Sequence, residues 1–372
     1  MKTRNQSSRK PLIILTAGGT GGHVYPAEAL AEELNKRAYR LALITDKRGK
    51  DNYKGKLGEI KNYAVYAGAL VGKSKWFKIK SLFKTCLGIV QAGYILFRER
   101  PACVVGFGGY ASFPASMAAI LMGVDLVIHE QNSVMSRTNR FLSKYASLIA
   151  QSFKKVKYTP QNIKTVLTGM PIRKAIADIR DSEYPEIKGK KFQIMVLGGS
   201  QGAKIFGDVV PEVIKSLTKE DQKKIRLFQQ CREADVPTIK EAYDGSSAEI
   251  TLSHFFNNMP ELYEQTHLII SRAGASSVSE IAAVGLPSIL IPLPIAADDH
   301  QTSNAQEIAD AKAGIVLKQK DFTKEKLSEL LLSLMSDEKR LKTMSANAKK
   351  VGIVDAAERF ANAIEKEIIA KR

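Results

Sequence analysis

The feature that most constrains the fold of this chain is a glycine-rich turn between a short apolar run and a helical pattern. Residues 12–15 (Leu-Ile-Ile-Leu) are typical of a buried strand, and residues 16–26 (Thr-Ala-Gly-Gly-Thr-Gly-Gly-His-Val-Tyr-Pro) follow directly. Helical spacing then begins at Ala27. In such a unit the glycines let backbone N–H groups approach an anion, and the helix N-terminus adds a partial positive charge. His23, at the tip of the turn, can change charge near neutral pH.

This turn differs from two common phosphate-binding motifs. No Gly-Lys-Ser/Thr follows the glycines, so the turn is not a P-loop. If Gly19 and Gly21 are taken as the first glycines of a dinucleotide fingerprint, the third position falls on Val24. A tight turn without a ligand is the alternative, and the return of the pattern later in the chain argues against it.

Short β-rich runs alternate with helical segments along the chain, which predicts parallel βαβ units. The predicted strands cover residues 12–15, 41–45, 102–105, 125–129, 147–150, 192–197, 225–229, 248–252, 267–271, 288–291 and 314–317. Further glycine turns follow strands at residues 106–110 and 198–203. We therefore predict an α/β protein with two Rossmann-like domains, each a doubly wound parallel sheet, facing each other across a cleft. Ligands should bind at the carboxyl ends of the strands, where the glycine turns lie.

The boundary between the two domains is predicted within a linker at residues 158–171. We assign residues 1–165 to the N-terminal domain and residues 166–353 to the C-terminal domain. The closing helix, residues 354–372, has no strand after it and is expected to join the N-terminal domain.

Composition limits the partners of the chain. Its 372 residues include 56 Lys and Arg against 38 Asp and Glu, a net charge of +18, which favours anionic partners. The three cysteines lack metal-ligand spacing and suit a reducing cytosol. No run is long enough for a signal-peptide core or a membrane span, so we expect a cytoplasmic protein that can visit a membrane.

Six motifs in register resemble the MurG family of bacterial glycosyltransferases. They are Gly-Gly-Thr-Gly-Gly-His (18–23), Gly-Phe-Gly-Gly-Tyr (106–110), His-Glu-Gln-Asn (129–132), Gly-Gly-Ser-Gln-Gly-Ala (198–203), Ser-Arg-Ala-Gly-Ala-Ser-Ser-Val-Ser-Glu (271–280) and Asp-His-Gln (299–301). The resemblance implies a GT-B fold and an inverting transfer of N-acetylglucosamine from UDP-GlcNAc to lipid I, giving lipid II for peptidoglycan. It also implies a peripheral protein at the cytoplasmic face of the inner membrane, with an anionic membrane surface and cell-wall synthesis complexes as partners.

The resemblance also implies roles for individual residues. His23 and Glu130 are both candidates for the base that takes the proton of the acceptor hydroxyl, and the choice between them stays open. The residues expected to bind UDP-GlcNAc are Thr20, Gly21, Gly22, Asn132, Arg173, Ser200, Phe256, Ala275, Ser276, Ser277, Val278, Ser279, Glu280 and Gln301. Glu280 is expected on the ribose hydroxyls. With no Asp-x-Asp motif present, we expect neither a catalytic metal nor a cofactor.

Some positions carry other expectations. We expect His129, at a strand end, to be a buried structural histidine, and Arg272 to pair with a neighbouring carboxylate. Met170 stands where the family usually has asparagine, and Ser276 where a larger apolar residue is common. Both differences concern local geometry.

Two other classes of protein compete with the transferase interpretation. A nicotinamide-dependent oxidoreductase is suggested by the first glycine turn and by Asp46 at the end of the second strand. A nucleic-acid-binding protein is suggested by the charge of +18, but the basic residues are spread along the sequence and no nucleic-acid motif is present, so no nucleic acid is expected.

The segment from Gly72 to Arg100 carries seven basic residues and one acidic residue. If it is helical, an apolar stripe lies along one side, and we expect that stripe to pack on the sheet. The stripe comprises Trp76, Ile79, Phe83, Cys86, Leu87 and Val90. Phe77 falls among lysines instead, so an exposed Trp76-Phe77 pair is expected to meet an acidic lipid surface. The predicted membrane contacts are Lys73, Lys75, Trp76, Phe77 and Lys80.

Overall fold

The computed structural model describes residues 10–18, 21–47, 49, 53, 55–68, 75–199 and 203–372, with only the backbone of Lys75. The chain divides into two compact units. The first comprises Met1–Arg173 and Asp355–Arg372, and the second comprises Lys174–Val354. Each unit is built around its own parallel sheet.

The described strands follow the apolar runs of the sequence. They are β1 Leu12–Thr16, β2 Arg40–Thr45, β3 Lys61–Ala64, β4 Cys103–Gly106, β5 Asp125–Glu130, β6 Leu148–Gln151, β7 Thr165–Leu167, β8 Phe192–Leu197, β9 Ile225–Gln230, β10 Glu249–Ser253, β11 Leu268–Ser271, β12 Ser288–Leu290 and β13 Gly314–Val316. The order is β3-β2-β1-β4-β5-β6-β7 in the first sheet and β10-β9-β8-β11-β12-β13 in the second. All of these pairings are parallel, so the prediction of two doubly wound sheets is confirmed. Strands β3 and β7 were not predicted, because they are short edge strands with little apolar patterning.

The described helices complete the crossovers between strands. They are α1 Gly21–Lys36, α2 Gly55–Glu59, α3 Lys75–Glu99, α4 Phe113–Leu121, α5 Arg137–Leu142, α6 Lys174–Ala177, α7 Lys204–Ser216, α8 Lys219–Lys223, α9 Val236–Ala242, α10 Met259–Gln265, α11 Ala275–Val284, α12 His300–Asp310, α13 Lys324–Met335, α14 Glu338–Val351 and α15 Ala356–Glu367. Short 3-10 turns occur at Ser143–Tyr145, Glu233–Asp235, Ala297–Asp299, Gln319–Asp321 and Ile369–Lys371.

The first sheet is buried on both faces, because successive side chains of a strand point to opposite sides. Ile13 and Leu15 of β1 face a cluster that includes Leu30 of α1 and Phe360 of α15. Ile14, between them, belongs to the opposite cluster, which includes residues of α3 and α4. In the second unit, β8 is buried along its whole length, with helices α7 and α13 in the same core.

The first unit extends to Arg173, eight residues beyond the predicted boundary at 165. The additional residues belong to it because β7 pairs with β6, and the backbone N–H groups of Thr168 and Gly169 donate to the Gln151 carbonyl. At the chain end, α15 packs on α1, and Arg37 binds Glu365 at 2.7 Å and Asn362 at 2.6 Å.

Candidate functional site

The two glycine turns of the first unit meet where the strand order of its sheet reverses. Because β1 and β4 are neighbours, the turns leave from adjacent strand ends. A Cβ on Gly109 would lie 2.5 Å from the Gly18 carbonyl oxygen, and one on Gly18 would collide with the Ala111 side chain. Gly109 also has a φ of +77°, which glycine adopts without strain. Doubly wound sheets bind ligands at this position, outside the carboxyl ends of the strands at the switch point.

His23 lies in the first turn of α1, and its imidazole packs against the second glycine turn. A Cβ on Gly108 would lie 3.3 Å from the Cε1 atom of the ring. Nδ1 is buried, and no hydrogen bond of ordinary geometry reaches it from the described residues. Burial lowers the pKa of His23 below the usual 6.5, and the adjacent Phe107 carbonyl and Gln131 side chain oppose this shift. The imidazole is therefore neutral at neutral pH, the form that can accept a proton.

His129 is a core residue, as predicted. Its ring is fully buried, with centroids of the Phe107 and Phe360 rings 5.5 Å and 5.3 Å away. Nε2 lies 3.2 Å from the Ser152 hydroxyl, and Nδ1 lies 3.2 Å from Nε2 of Gln131. Burial lowers the pKa of His129 to about 3, so the ring stays neutral.

Glu130, the other candidate base, is fully buried at 0% exposure. One carboxylate oxygen accepts from the Asn132 backbone at 3.0 Å, and the other accepts from the Ser136 backbone at 3.1 Å and from Asn139 Nδ2 at 2.8 Å. Burial raises the pKa of this carboxyl, and the donors lower it. These contacts make Glu130 the internal support of the loop between β5 and α5.

Asp46 is committed to contacts within the protein. One of its oxygens accepts from the Gly49 backbone at 3.0 Å, and the other accepts from the Tyr110 hydroxyl at 2.9 Å. A dinucleotide-binding fold would instead use this carboxylate for a ribose hydroxyl. The bond to Tyr110 ties the loop after β2 to the second glycine turn.

The other predicted residues of the first unit lie on the loops at the same edge of its sheet. Gly21 and Gly22 open α1, whereas Thr20 lies outside the described residues. Asn132 lies two residues after the end of β5 and is half-buried. The Arg173 guanidinium lies 5.4 Å from the centre of the Tyr25 ring, close to the start of α1. Met170 is buried, with its sulfur 3.9 Å from the Ser152 hydroxyl, so the residue that differs from the family pattern fills core space.

The second unit repeats the arrangement at its own switch point. The sheet order reverses between β8 and β11, so the turn at 198–203 and the turn into α11 leave from adjacent strands. Ser200 lies outside the described residues. Gly274 is the N-cap of α11 and offers no side chain to its N–H groups. Ala275 and Val278 are buried, whereas the remaining predicted residues of this helix are partly exposed: Ser276, Ser277, Ser279 and Glu280.

Three further predicted donor residues are held by specific contacts. Glu280 accepts a hydrogen bond from the Tyr263 hydroxyl at 3.1 Å, and Gln301 accepts from the Leu293 backbone at 3.0 Å. Phe256 is buried edge-on against Phe228, with ring centroids 6.0 Å apart. Each side chain is therefore oriented by the fold.

Arg272 does not pair with a carboxylate among the described residues, so that prediction is wrong. Its guanidinium donates to the carbonyl oxygens of Ile291 at 3.1 Å and Pro292 at 3.4 Å, and to Gln319 Oε1 at 2.7 Å. Burial lowers the pKa of the Arg272 guanidinium below its usual value. The Arg272 guanidinium therefore lies at the carboxyl ends of β11 and β12 and donates to backbone carbonyl oxygens just beyond β12.

Four residues beside His23 were not among the predicted site residues. Gly108 and Gly109 pack against its ring, and Gln131 and Phe107 face it. All four lie within motifs that the sequence displays, so motif membership was the available signal. No three His, Cys, Asp or Glu side chains in the described part of the chain are close enough to hold a metal ion.

The apolar stripe of α3 faces solvent, so the prediction that it packs on the sheet is wrong. Trp76 is 82% exposed, Phe83 64% and Val90 70%, and Phe77 is 47% exposed as well. The helix buries its small residues instead: Ser81, Thr85, Gly88 and Ala92. A Cβ on Gly88 would collide with the Tyr66 carbonyl oxygen. The small residues allow a close backbone approach, Leu96 is buried on the same side, and the side chains of the predicted apolar stripe are left exposed.

Lysines accompany this exposed face. Lys78, Lys80 and Lys84 are exposed in the N-terminal half of α3, whereas Lys73 and the Lys75 side chain lie outside the described residues. We refer to the exposed apolar residues of α3 and these three lysines as the α3 surface. Across the described residues, no helix combines the length and apolarity needed to cross a bilayer.

The basic residues are spread along the sequence but not evenly between the units. The first unit contains 32 Lys and Arg and 13 Asp and Glu, a net charge of +19, whereas the second contains 24 and 25, a net charge of −1. The positive charge of the chain therefore resides in the unit that carries the α3 surface.

Comparisons with known proteins place this arrangement in a class. Residues 13–151 match the glycosyltransferase family 28 N-terminal domain, and residues 193–360 match the family 28 C-terminal domain. The crystal structure of Acinetobacter baumannii MurG superposes with a TM-score of 0.77 and 30% identity, covering 96% of this chain and 99% of that one. A UDP-GlcNAc 2-epimerase from Neisseria meningitidis, solved with UDP-GlcNAc, shares the fold at a TM-score of 0.67 and 15% identity. The chain is a two-domain glycosyltransferase.

Similar proteins of known family identify the family of this chain more precisely. A protein from Paramagnetospirillum magneticum is 45% identical over 96% of this chain and 97% of its own length. One from Rhodospirillum rubrum is 40% identical over 95% of this chain and 91% of its own length. Both are named UDP-N-acetylglucosamine--N-acetylmuramyl-(pentapeptide) pyrophosphoryl-undecaprenol N-acetylglucosamine transferase. The chain therefore belongs to the MurG family within glycosyltransferase family 28.

Proposed function

We propose that this chain transfers N-acetylglucosamine from UDP-GlcNAc to lipid I, forming lipid II. The observation that carries the proposal is the neutral His23 imidazole, held between two interlocking glycine turns at the switch point of the first sheet. The substrates are inferred from family membership. The neutral imidazole of His23 is chemically suited to act as the base.

The reaction requires one proton to be removed and one leaving group to be stabilised. The acceptor hydroxyl attacks the anomeric carbon of N-acetylglucosamine, the new C–O bond forms, and the bond to the diphosphate oxygen breaks with its electron pair leaving on UDP. His23 takes the hydroxyl proton. We favour His23 over Glu130, because Glu130 is buried and already accepts three hydrogen bonds, two from the loop after β5 and one from Asn139 of α5.

The second unit is proposed to bind the nucleotide. The uncapped N-terminus of α11 offers backbone N–H groups to the diphosphate, and charge that develops on a leaving group is stabilised by such preorganised donors. Glu280, oriented by Tyr263, is proposed to accept from the ribose hydroxyls. The other second-unit residues proposed to contact UDP-GlcNAc are Ser200, Phe256, Ala275, Ser276, Ser277, Val278, Ser279 and Gln301. From the first unit, Thr20, Gly21, Gly22, Asn132 and Arg173 are proposed as further contacts of UDP-GlcNAc.

The α3 surface is proposed to rest on an anionic bilayer at the cytoplasmic face of the plasma membrane. Exposed aromatic residues among lysines suit the headgroup region, and the charge of +19 in the first unit attracts acidic lipid. Lys73, Lys75, Trp76, Phe77 and Lys80 are the proposed contacts. Such docking would bring the enzyme to its lipid-linked acceptor.

The direct test is transfer of radiolabel from UDP-GlcNAc to a lipid I analogue. We expect labelled product with the wild type, and little with His23→Ala. His254→Ala is the matched control, because His254 is exposed and lies outside the proposed site. A wild-type protein that hydrolyses or epimerises UDP-GlcNAc without labelling the acceptor would contradict the proposal.

A further inference from the structure

We propose that Gln131 is a positioning residue for His23: together with the Phe107 carbonyl it holds the imidazole as the tautomer protonated on Nδ1. The Nε2 lone pair is then left for the acceptor hydroxyl. This inference deepens the proposed function and rests on its assignment of His23 as the base.

The orientation of the Gln131 amide is determined by its contacts. Gln131 is buried, and its Nε2 donates to the Phe107 carbonyl oxygen at 2.6 Å. A carbonyl oxygen only accepts, so the NH2 end faces Phe107 and the amide oxygen points elsewhere. The second contact of the same nitrogen, 3.2 Å from Nδ1 of His129, requires that Nδ1 to be an acceptor.

His129 satisfies this requirement. It is neutral, so only one of its ring nitrogens carries a proton. Its Nε2 lies 3.5 Å from the Gly169 carbonyl oxygen and 3.2 Å from the Ser152 hydroxyl, so the proton sits on Nε2, where an acceptor is available. The flanking rings of Phe107 and Phe360 keep the imidazole from turning. The hydrogen bonds therefore run one way: the Gln131 amide donates to Nδ1 of His129, and Nε2 of His129 donates towards the Gly169 carbonyl oxygen.

The Gln131 amide oxygen and His23 Nδ1 border the same small space. A Cβ on Gly108 would lie 3.7 Å from that oxygen and 3.4 Å from that nitrogen. The Phe107 backbone and the Gln131 side chain both favour the protonated form of His23, so both act on the ring as hydrogen-bond acceptors. A lone pair on the buried Nδ1, beside the Gln131 oxygen, would be unfavourable there. A proton on Nδ1 would instead be attracted by both acceptors. Hydrogen bonds in catalytic sites are often long before substrate binds and shorten in the complex.

The arrangement has a consequence for the proton taken up during transfer. When Nε2 accepts the hydroxyl proton, the ring becomes a cation whose Nδ1–H points at the Gln131 oxygen. An amide oxygen stabilises this charge through its dipole but is too weak a base to remove the proton. Gln131 therefore orients His23 and stabilises its charged form without entering the reaction.

Nitrogen NMR of histidine in the intact protein tests the tautomer without an activity assay. The chain has five histidines, and a His23→Gln variant identifies the signal of His23. With ¹⁵N-labelled histidine near pH 7.5, we expect His23 to show a protonated Nδ1 and an unprotonated Nε2. A His23 protonated on Nε2 in the wild type would overturn the proposal, whatever its variants do.

Gln131→Met tests whether the glutamine sets this state, since methionine has similar size and no amide. We expect a fraction of His23 to become protonated on Nε2, and kcat to fall about tenfold to a hundredfold, as expected for a misplaced catalytic group. UDP affinity should stay within about twofold of the wild type. Gln151→Met, a buried glutamine on β6 changed in the same way, is the control and should keep the wild-type tautomer and kcat.

An unchanged tautomer or an unchanged kcat in folded Gln131→Met would remove Gln131 from this role. The two proposals fail separately: full transfer by His23→Ala would exclude His23 as the base, whereas the NMR signals report the tautomer in either case.

Discussion

The two units share a sheet topology and differ in charge. In each, the strand order reverses between the first strand and the fourth strand of the unit, and glycine turns or open helix starts lie at that point. The first unit carries a net charge of +19 and a titratable histidine in its turn, whereas the second carries −1 and a buried arginine at its strand ends. The same backbone plan therefore accommodates a basic unit, which we propose meets the lipid-linked acceptor, and a unit of nearly zero net charge, which we propose binds the nucleotide. The difference resides in surface and loop side chains, which the topology does not constrain.

The largest effect is expected from Phe360→Ala, which tests whether the closing helix stabilises only the first unit. Phe360 is fully buried against His129 and Phe107, so truncation should reduce the free energy of unfolding by about 3–5 kcal/mol. Chemical denaturation with UDP present should assign the loss to the unit that does not bind nucleotide. Arg359→Ala, exposed on the same helix, is the control, and a loss below about 1 kcal/mol for Phe360→Ala would contradict the prediction.

The contrast in charge is tested by replacing three lysines in each unit. Lys78, Lys80 and Lys84 to serine should weaken binding to anionic liposomes by on the order of 3 kcal/mol, since each lysine near the surface contributes about 1 kcal/mol. The matched control changes Lys339, Lys342 and Lys350 of α14, which are also exposed. Sedimentation at several salt concentrations measures both. Equal losses in the two variants would mean that overall charge, and not the α3 surface, governs binding.

The catalytic contrast is tested by His23→Ala. Turnover should fall about a hundredfold or more, because a general base contributes at least that much. UDP affinity, assigned to the second unit, should not change. Steady-state kinetics with a soluble acceptor and calorimetry with UDP measure the two quantities. A variant that loses UDP affinity in proportion to kcat would break the proposed division between the units.

The proposed role of the second unit in nucleotide binding is tested by Glu280→Ala. UDP-GlcNAc binding should weaken by roughly 1.5–3 kcal/mol, the range for a hydrogen bond to a charged group. A 2′,3′-dideoxy analogue of UDP should bind the variant and the wild type equally. A deficit that persists with this analogue would assign Glu280 to support of the fold, through its contact with Tyr263.

The smallest expected effect is a shift in pH dependence. Burial disfavours the charged imidazolium and lowers the pKa of His23 below 6.5, so the neutral base persists as pH falls through 7. The acid limb of kcat/KM for the acceptor should therefore lie below pH 6.5. A midpoint above 6.5 would mean that another group controls the limb or that the site is more solvated than its packing indicates.

The roles of single polar residues could not be assigned from sequence. His129 and Glu130 are adjacent in one motif, and both are internal supports, yet their types suit catalysis equally well. Gln131, between these residues and Asn132, faces His23 only because β5 ends beside the second glycine turn. Arg272 lacks a carboxylate among the described residues because strand-end carbonyls and Gln319 satisfy its donors. These assignments depend on which strand ends are neighbours.

By itself, the sequence determined the two parallel sheets, nearly all of their strands and the glycine turns at the ligand-binding edge. Those features follow from local patterns, since apolar runs bury strands and glycine permits positive φ at turns. Only the tertiary structure decided which face of α3 is buried, because small residues permit the closest backbone approach and the bulky stripe is left exposed. It also decided that the charge belongs to one unit and that Glu130 is enclosed while His23 lies between two turns, since burial and contact depend on residues distant in the chain.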